Sequence, residues 1–169
     1  MSIAATGRIA RTGTGRELEI VRTIRAPIGD VWASIVDPER MNRWIGTWSG
    51  EPGEGKRVTF VMTAEGSSEP EEVLIHRCDA PRLLEVETAM GEGTWRMRVE
   101  LAEREEVTTI RFSQVIVEGD DTGSIGPGWE YYLDRLVAAH TGEPFTEWDS
   151  YYPSQQPYWQ EQDRLVRDG

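Results

Sequence analysis

The chain has 169 residues, 38% apolar and 28% charged, enough to bury the core of one domain. Its 18 basic and 30 acidic residues leave a net charge of −12, and no Lys/Arg cluster offers a face for phosphates, which argues against nucleic acid and anionic membranes as partners. Cys78 is the sole cysteine, "MSIAATGRIARTG" lacks a signal-like apolar stretch, and no run is long enough to span a bilayer, so the expected location is the cytoplasm.

"GRIARTGTGRELEIVRTI" places a Gly-rich turn at 13–15 between two alternating runs and predicts a hairpin, its second arm at about 17–25. Ala26 and Pro27 end that strand and open a helix, with Ile28, Val31, Trp32 and Ile35 at helical spacing. "DPER" at 37–40 repeats the device: Asp37 caps, Pro38 fills the first turn, and Met41, Trp44 and Ile45 form the inner stripe of a second short helix. The stretch 46–55, "GTWSGEPGEG", reads as loop.

Period-two segments follow. Val58, Phe60 and Met62 share one strand face; Leu84 and Val86 oppose Glu85 and Glu87. Trp95, Met97, Val99 and Leu101 oppose Arg96, Arg98 and Glu100, and Ile110, Phe112, Gln114 and Ile116 share the inner face of the last strand. Segment 71–78, "EEVLIHRC", is a strand with no assignable buried face, and His76 and Cys78 fall two residues apart on one side of it. Gly126 and Pro127 then open a long helix over 126–140. It carries Trp129, Leu133, Leu136, Val137 and His140 on one stripe with Tyr132 beside them, and Glu130, Asp134, Arg135 and Ala138 toward solvent. The fold class is therefore α+β: two short helices after the first long strand, about six to seven antiparallel strands, and one long helix covering the dry face of a curved sheet.

Two stretches carry a family resemblance. "RTIRAPIGDVWASIVDPERMNRWIGTW" (22–48) resembles the opening of the START-like, or SRPBCC, superfamily: Ala26 and Pro27, Val31 and Trp32, Asp37 to Glu39, then Arg43 and Trp44. The nearest branch is the one named after the activator of the heat-shock-protein-90 ATPase (Aha-type). "GPGWEYYLDRLVAAHTGEPFTEWDSYYP" (126–153) is similar to the last helix and tail of a bacterial subgroup of that branch. Ile45 departs from the pattern, since many branch members place a second aromatic there. The resemblance implies a helix-grip fold over a single domain, 1–169, with a core at about 8–140 and an aromatic-rich tail at 141–169. It also implies a cavity between sheet and long helix that binds a small hydrophobic molecule. Fold likeness alone does not settle function.

The candidate lining is Trp44, Trp48, Phe60, Met62, His76, Trp95, Met97, Phe112, Gln114, Trp129, Tyr132, Leu133 and Leu136, with His76, Gln114 and Tyr132 as polar tips. The competing reading is that these side chains simply fill a core. His76 and His140 have no companions at ligand spacing, so no metal and no cofactor are expected. "GSIGPG" (123–128) and "PGEGK" (52–56) fit neither a dinucleotide fingerprint nor a phosphate loop and read as turns. Two alternatives stay open: a cochaperone-like protein-binding role, and an enzyme like the polyketide cyclases and dehydratases that share the fold, with His76 as its best acid or base. The tail either packs outside, closes the pocket mouth, or meets a second subunit in a dimer.

Overall fold

The computed structural model describes residues 2–13, 15–90 and 92–169. Strands β1 (Arg8–Thr12) and β2 (Gly15–Ile24) form the predicted hairpin; Thr14, inside its turn, lies outside the described residues. Helices α1 (Ile28–Val36) and α2 (Pro38–Met41) follow. Pro27 stands at the N-cap of α1, and Asp37 ends α1 while starting α2. The Asp37 Oδ1 accepts from the backbone N–H groups of Glu39 (2.9 Å) and Arg40 (3.4 Å), as a capping carboxylate should.

The remaining strands are β3 (Thr47–Ser49), β4 (Arg57–Val61), β5 (Pro70–Asp79), β6 (Leu83–Met90), β7 (Gly93–Arg104) and β8 (Val107–Ile116). All eight make one antiparallel sheet in the order β1-β2-β8-β7-β6-β5-β4-β3. The stretch read as loop at 46–55 thus supplies an edge strand. Its anchor is Trp48, which is buried and donates its indole N–H to the Val36 carbonyl at 2.9 Å.

The alternation read from β6, β7 and β8 holds: Leu84, Met97, Leu101, Ile110, Phe112, Gln114 and Ile116 are buried on the concave face. Strand β5 defied assignment because it contains a bulge. Ile75 pairs with Val86 and Arg77 with Glu85, leaving His76 as an extra residue. Before the bulge Val73 and Ile75 point inward; after it the phase flips and Cys78 pairs with the inward Leu84. His76 takes the outer face, its Nε2 3.2 Å from the Glu87 carboxylate. His76 and Cys78 therefore do not share a face, contrary to the expectation from their spacing.

The long helix α3 spans Thr122–Thr141, four residues more at its start than expected. "GSIGPG" is not a turn but its first turns, with Pro127 inside the helix and fully buried. The glycines there make room for a second helix, α4 (Gln156–Asp168), in the tail. A Cβ on Gly126 would lie 2.2 Å from the Trp159 ring, and one on Gly7 2.7 Å from it. Trp159 is completely buried between them.

The outward set on α3 also needs correction. Glu130 is 1% exposed rather than solvated. Its carboxylate accepts from the Thr6 N–H (2.5 Å), the Thr6 hydroxyl (2.6 Å) and Arg22 Nη2 (2.6 Å). Arg22 Nε also donates to Asp134 (2.7 Å), whose other oxygen accepts from the buried Tyr151 hydroxyl (2.6 Å). Burial alone would lower the Arg22 pKa, but its bonds to Glu130 and Asp134 outweigh that and raise it. This cluster fastens the N-terminal segment, β2, α3 and the tail together. No helix among the described residues is long and apolar enough to cross a membrane.

Candidate functional site: a cavity between sheet and long helix

Because α3 crosses a strongly curved sheet, the two surfaces cannot meet everywhere. The space left is a cavity of about 810 Å³, within the range of roughly 300–1,000 Å³ typical of small-molecule sites. Its floor is the sheet: Phe60, Val73, Leu84, Val86, Trp95 and Met97. Met41, Ile45 and Trp48 close one side, and Ile125, Trp129, Tyr131 and Tyr132 of α3 form the roof. Thr88 also lines it, and its hydroxyl donates to the Glu72 carbonyl (3.2 Å).

The mouth is marked by exposed residues: Glu65, Gly119, Asp121 and Trp148. Trp148 comes from the tail, meets Tyr131 edge-on at 5.4 Å and stacks on Tyr152 at 5.4 Å. Of the tail, α4 packs on the outside of the domain and Trp148 borders the opening without closing it. The Tyr132 hydroxyl donates to Glu65 at 2.7 Å, and its pKa is raised, by burial first and then by that bond.

Of the candidate lining residues, Trp48, Phe60, Met62, Trp95, Met97, Trp129 and Tyr132 do border the cavity. The others stand elsewhere. Trp44 is buried behind the wall, donating its indole N–H to the Ser34 carbonyl at 2.8 Å while its own carbonyl accepts from Arg135 Nε (2.8 Å). Leu133 and Leu136 face core side chains, one helical turn past the cavity. Phe112 packs behind Trp129, its ring tilted by 38° with centroids 4.3 Å apart, and Gln114 Oε1 accepts the Trp129 indole N–H at 2.7 Å. Gln114 is a positioning group, not a polar tip in the cavity. His76 is displaced to the outer face by the bulge, so it cannot act as acid or base there.

The sequence reading passed over several wall residues. Leu84 and Val86 carried the right parity, and Met41 and Ile45 the right stripe. Ile125 was masked by the glycines around it, and Trp148, in irregular chain, had no periodic signal. Among the described residues no cluster of three or more His, Cys, Asp or Glu is placed to hold a metal ion.

Residues 25–141, from the end of β2 through α3, match the family described as Activator of Hsp90 ATPase homolog 1-like protein. The chain belongs to this family. Every cavity residue except Trp148 falls inside the matched segment, so the cavity is built from the family's own elements, while α4 and the mouth tryptophan lie beyond it. No curated protein sequence matches the chain significantly.

Among solved structures, the fold is similar to CalU16 from Micromonospora echinospora. The crystal structure gives a TM-score of 0.75 at 24% identity, covering 94% of this chain and 96% of that one. It is also similar to EF2215 from Enterococcus faecalis, a conserved protein of unknown function (TM-score 0.73, 16% identity, 95% and 92% coverage). A third likeness is to DynU16, a protein of the dynemicin biosynthetic locus (TM-score 0.66, 20% identity); 81% of this chain spans half of that one. Identities this low establish the helix-grip fold alone.

Proposed function

We propose that the protein binds a small hydrophobic molecule in the cavity between its sheet and α3. One observation carries the reading: about 810 Å³ of space, open at one mouth, is lined mainly by aromatic and aliphatic side chains instead of being filled by them. Protein interiors are close-packed, and a void of this size with apolar walls forfeits dispersion contacts that a guest would restore. The driving force is removal of apolar surface from water, at about 25 cal/mol per Å². Native mass spectrometry of the purified protein tests this by looking for a co-purified adduct. Titration with the neutral, environment-sensitive dye N-phenyl-1-naphthylamine tests it independently. Saturable fluorescence enhancement that is lost on filling the cavity, as in Val86→Trp, is the expected result; no adduct and no saturable dye binding would end the proposal.

A further inference from the structure

We infer that the guest carries a positive charge: an amphiphile whose apolar body enters the cavity and whose amine or quaternary ammonium group stays at the mouth. This rests on the ligand-binding reading above and adds the chemistry of the ligand's polar end.

Four carboxylates line the cavity, Glu65, Glu71, Asp120 and Asp121, and no Lys or Arg does. On the outer face of the sheet several carboxylates are matched by guanidinium groups, as in Glu17 with Arg98, Glu19 with Arg111 and Glu85 with Arg96. Among the described residues, none of the four at the cavity belongs to an ion pair. Their hydrogen bonds come from neutral donors: Tyr132 to Glu65 (2.7 Å), Ser124 to Asp121 (2.6 Å) and the Val117 N–H to Asp120 (2.8 Å). Glu71 is half-buried on β5, paired in register with Phe60, in this same wall.

Glu65 and Asp121 are exposed and Glu71 and Asp120 half-buried, so together they place negative charge at and inside the opening, which favours a bound cation over a bound anion. Arg135, the guanidinium that touches a wall residue, does not fill that role. It lies over the Tyr131 and Phe145 rings (5.4 and 4.1 Å) and is held outside by the Trp44 carbonyl. The four acids do not converge on one point as metal ligands would. They share the lining with Tyr131 and Trp148, and aromatic rings of this kind attract organic cations through their quadrupoles.

The test uses three dansyl probes with one fluorophore and similar tethers: dansylcadaverine (cationic), N-hexyl dansylamide (neutral) and dansyl-6-aminohexanoate (anionic), titrated at low ionic strength. The cation is expected to bind about tenfold or more tighter than the anion, with the neutral probe between. The double variant Glu65→Gln/Asp121→Asn, which keeps both hydrogen-bond acceptors, is expected to cut that ratio at least about threefold. Glu51→Gln/Glu105→Gln, an equal charge change on exposed residues outside the cavity, is expected to leave it. Equal binding of cation and anion, or equal loss in both double variants, overturns the charge assignment while leaving the cavity as a ligand site. Failure of all three probes to bind overturns both.

Discussion

The Trp129 indole N–H donates to Gln114 Oε1 at 2.7 Å, joining the roof of the cavity to the sheet beneath it. With the Phe112 ring tilted against the same indole at 4.3 Å, Trp129 is held on two sides while it lines the cavity. Gln114→Leu strands the indole N–H in an apolar setting, at about 1–3 kcal/mol, and frees the ring to turn. We expect a modest fall in melting temperature and a several-fold weaker Kd for N-phenyl-1-naphthylamine. Unchanged dye affinity would show that the indole's orientation does not matter to the site.

Three tryptophans separate the cavity from the frame. A wall ring covering about 50 Å² of ligand contributes about 1.3 kcal/mol, roughly tenfold in Kd. Trp95→Ala and Trp129→Ala are expected to weaken dye binding by that order. Trp159→Ala is expected to cost about 3–5 kcal/mol of stability, since the ring is wholly buried between Gly7 and Gly126, yet to leave dye affinity unchanged in the folded fraction. Equal losses of affinity in all three would detach the binding from this cavity.

Gly126 gives the same joint its converse. A methyl group there would sit 2.2 Å from the Trp159 ring, so α3 and α4 must separate to admit it. Gly126→Ala would raise helix propensity anywhere else, but here we expect a loss of about 1–3 kcal/mol by chemical denaturation. A stabilised variant would mean that α4 is not seated on α3.

Glu130→Ala leaves Arg22 half-paired and three N–H or O–H donors of the N-terminal segment without an acceptor. Removing one partner of a buried ion pair costs about 3–5 kcal/mol; retention of Asp134 puts the expectation at the low end. Denaturant unfolding of Glu130→Ala beside Glu130→Gln, which keeps an acceptor, separates charge from hydrogen bonding.

His140, near the end of α3, has its Nε2 2.7 Å from the Ser34 hydroxyl. Its pKa lies below the ordinary 6.5, through burial first; Asp30 opposes the shift, and Arg40 and Arg43 add to it. The folded chain therefore favours the neutral ring. Above pH 6.5 both folded and unfolded states hold it neutral and nothing is lost. As the pH falls through that value the unfolded chain takes up the proton first, and this part of the stability drains away until the folded ring titrates too. Melting temperatures across about pH 7.5 to 5 should fall more steeply for the native chain than for His140→Gln; parallel curves would remove His140 as the cause.

Much of the framework could be read from residue order because its signals were local. Asp37 and Pro38, the period of Trp95 to Leu101, and the stripe of Leu133 and Leu136 each declare an element within a few residues. What failed was decided at a distance. The extra residue at His76 reverses the parity of β5, and nothing in "EEVLIHRC" marks it. Gly123 and Gly126 looked like breakers because their real purpose, room for α4, depends on residues more than thirty positions away. Glu130 seemed destined for water because its partners, Thr6 and Arg22, belong to another part of the chain. The cavity follows the same division: parity identified Phe60, Trp95 and Met97 of its floor, while Val73 was hidden by the bulge in β5 and Trp148 came from the tail.

Helix α4 has one more consequence. A terminal strand normally leaves a row of bare amide and carbonyl groups, an invitation to other chains. On β1 the tail takes up part of that row: the Ile9 N–H donates to Gln162 at 3.4 Å, and just before the strand the Gly7 carbonyl accepts the Tyr158 hydroxyl at 2.5 Å. Seen this way the tail is an insulator. It shields the β1 side of the β-layer from a neighbour's backbone and leaves β3 as the sheet's other edge.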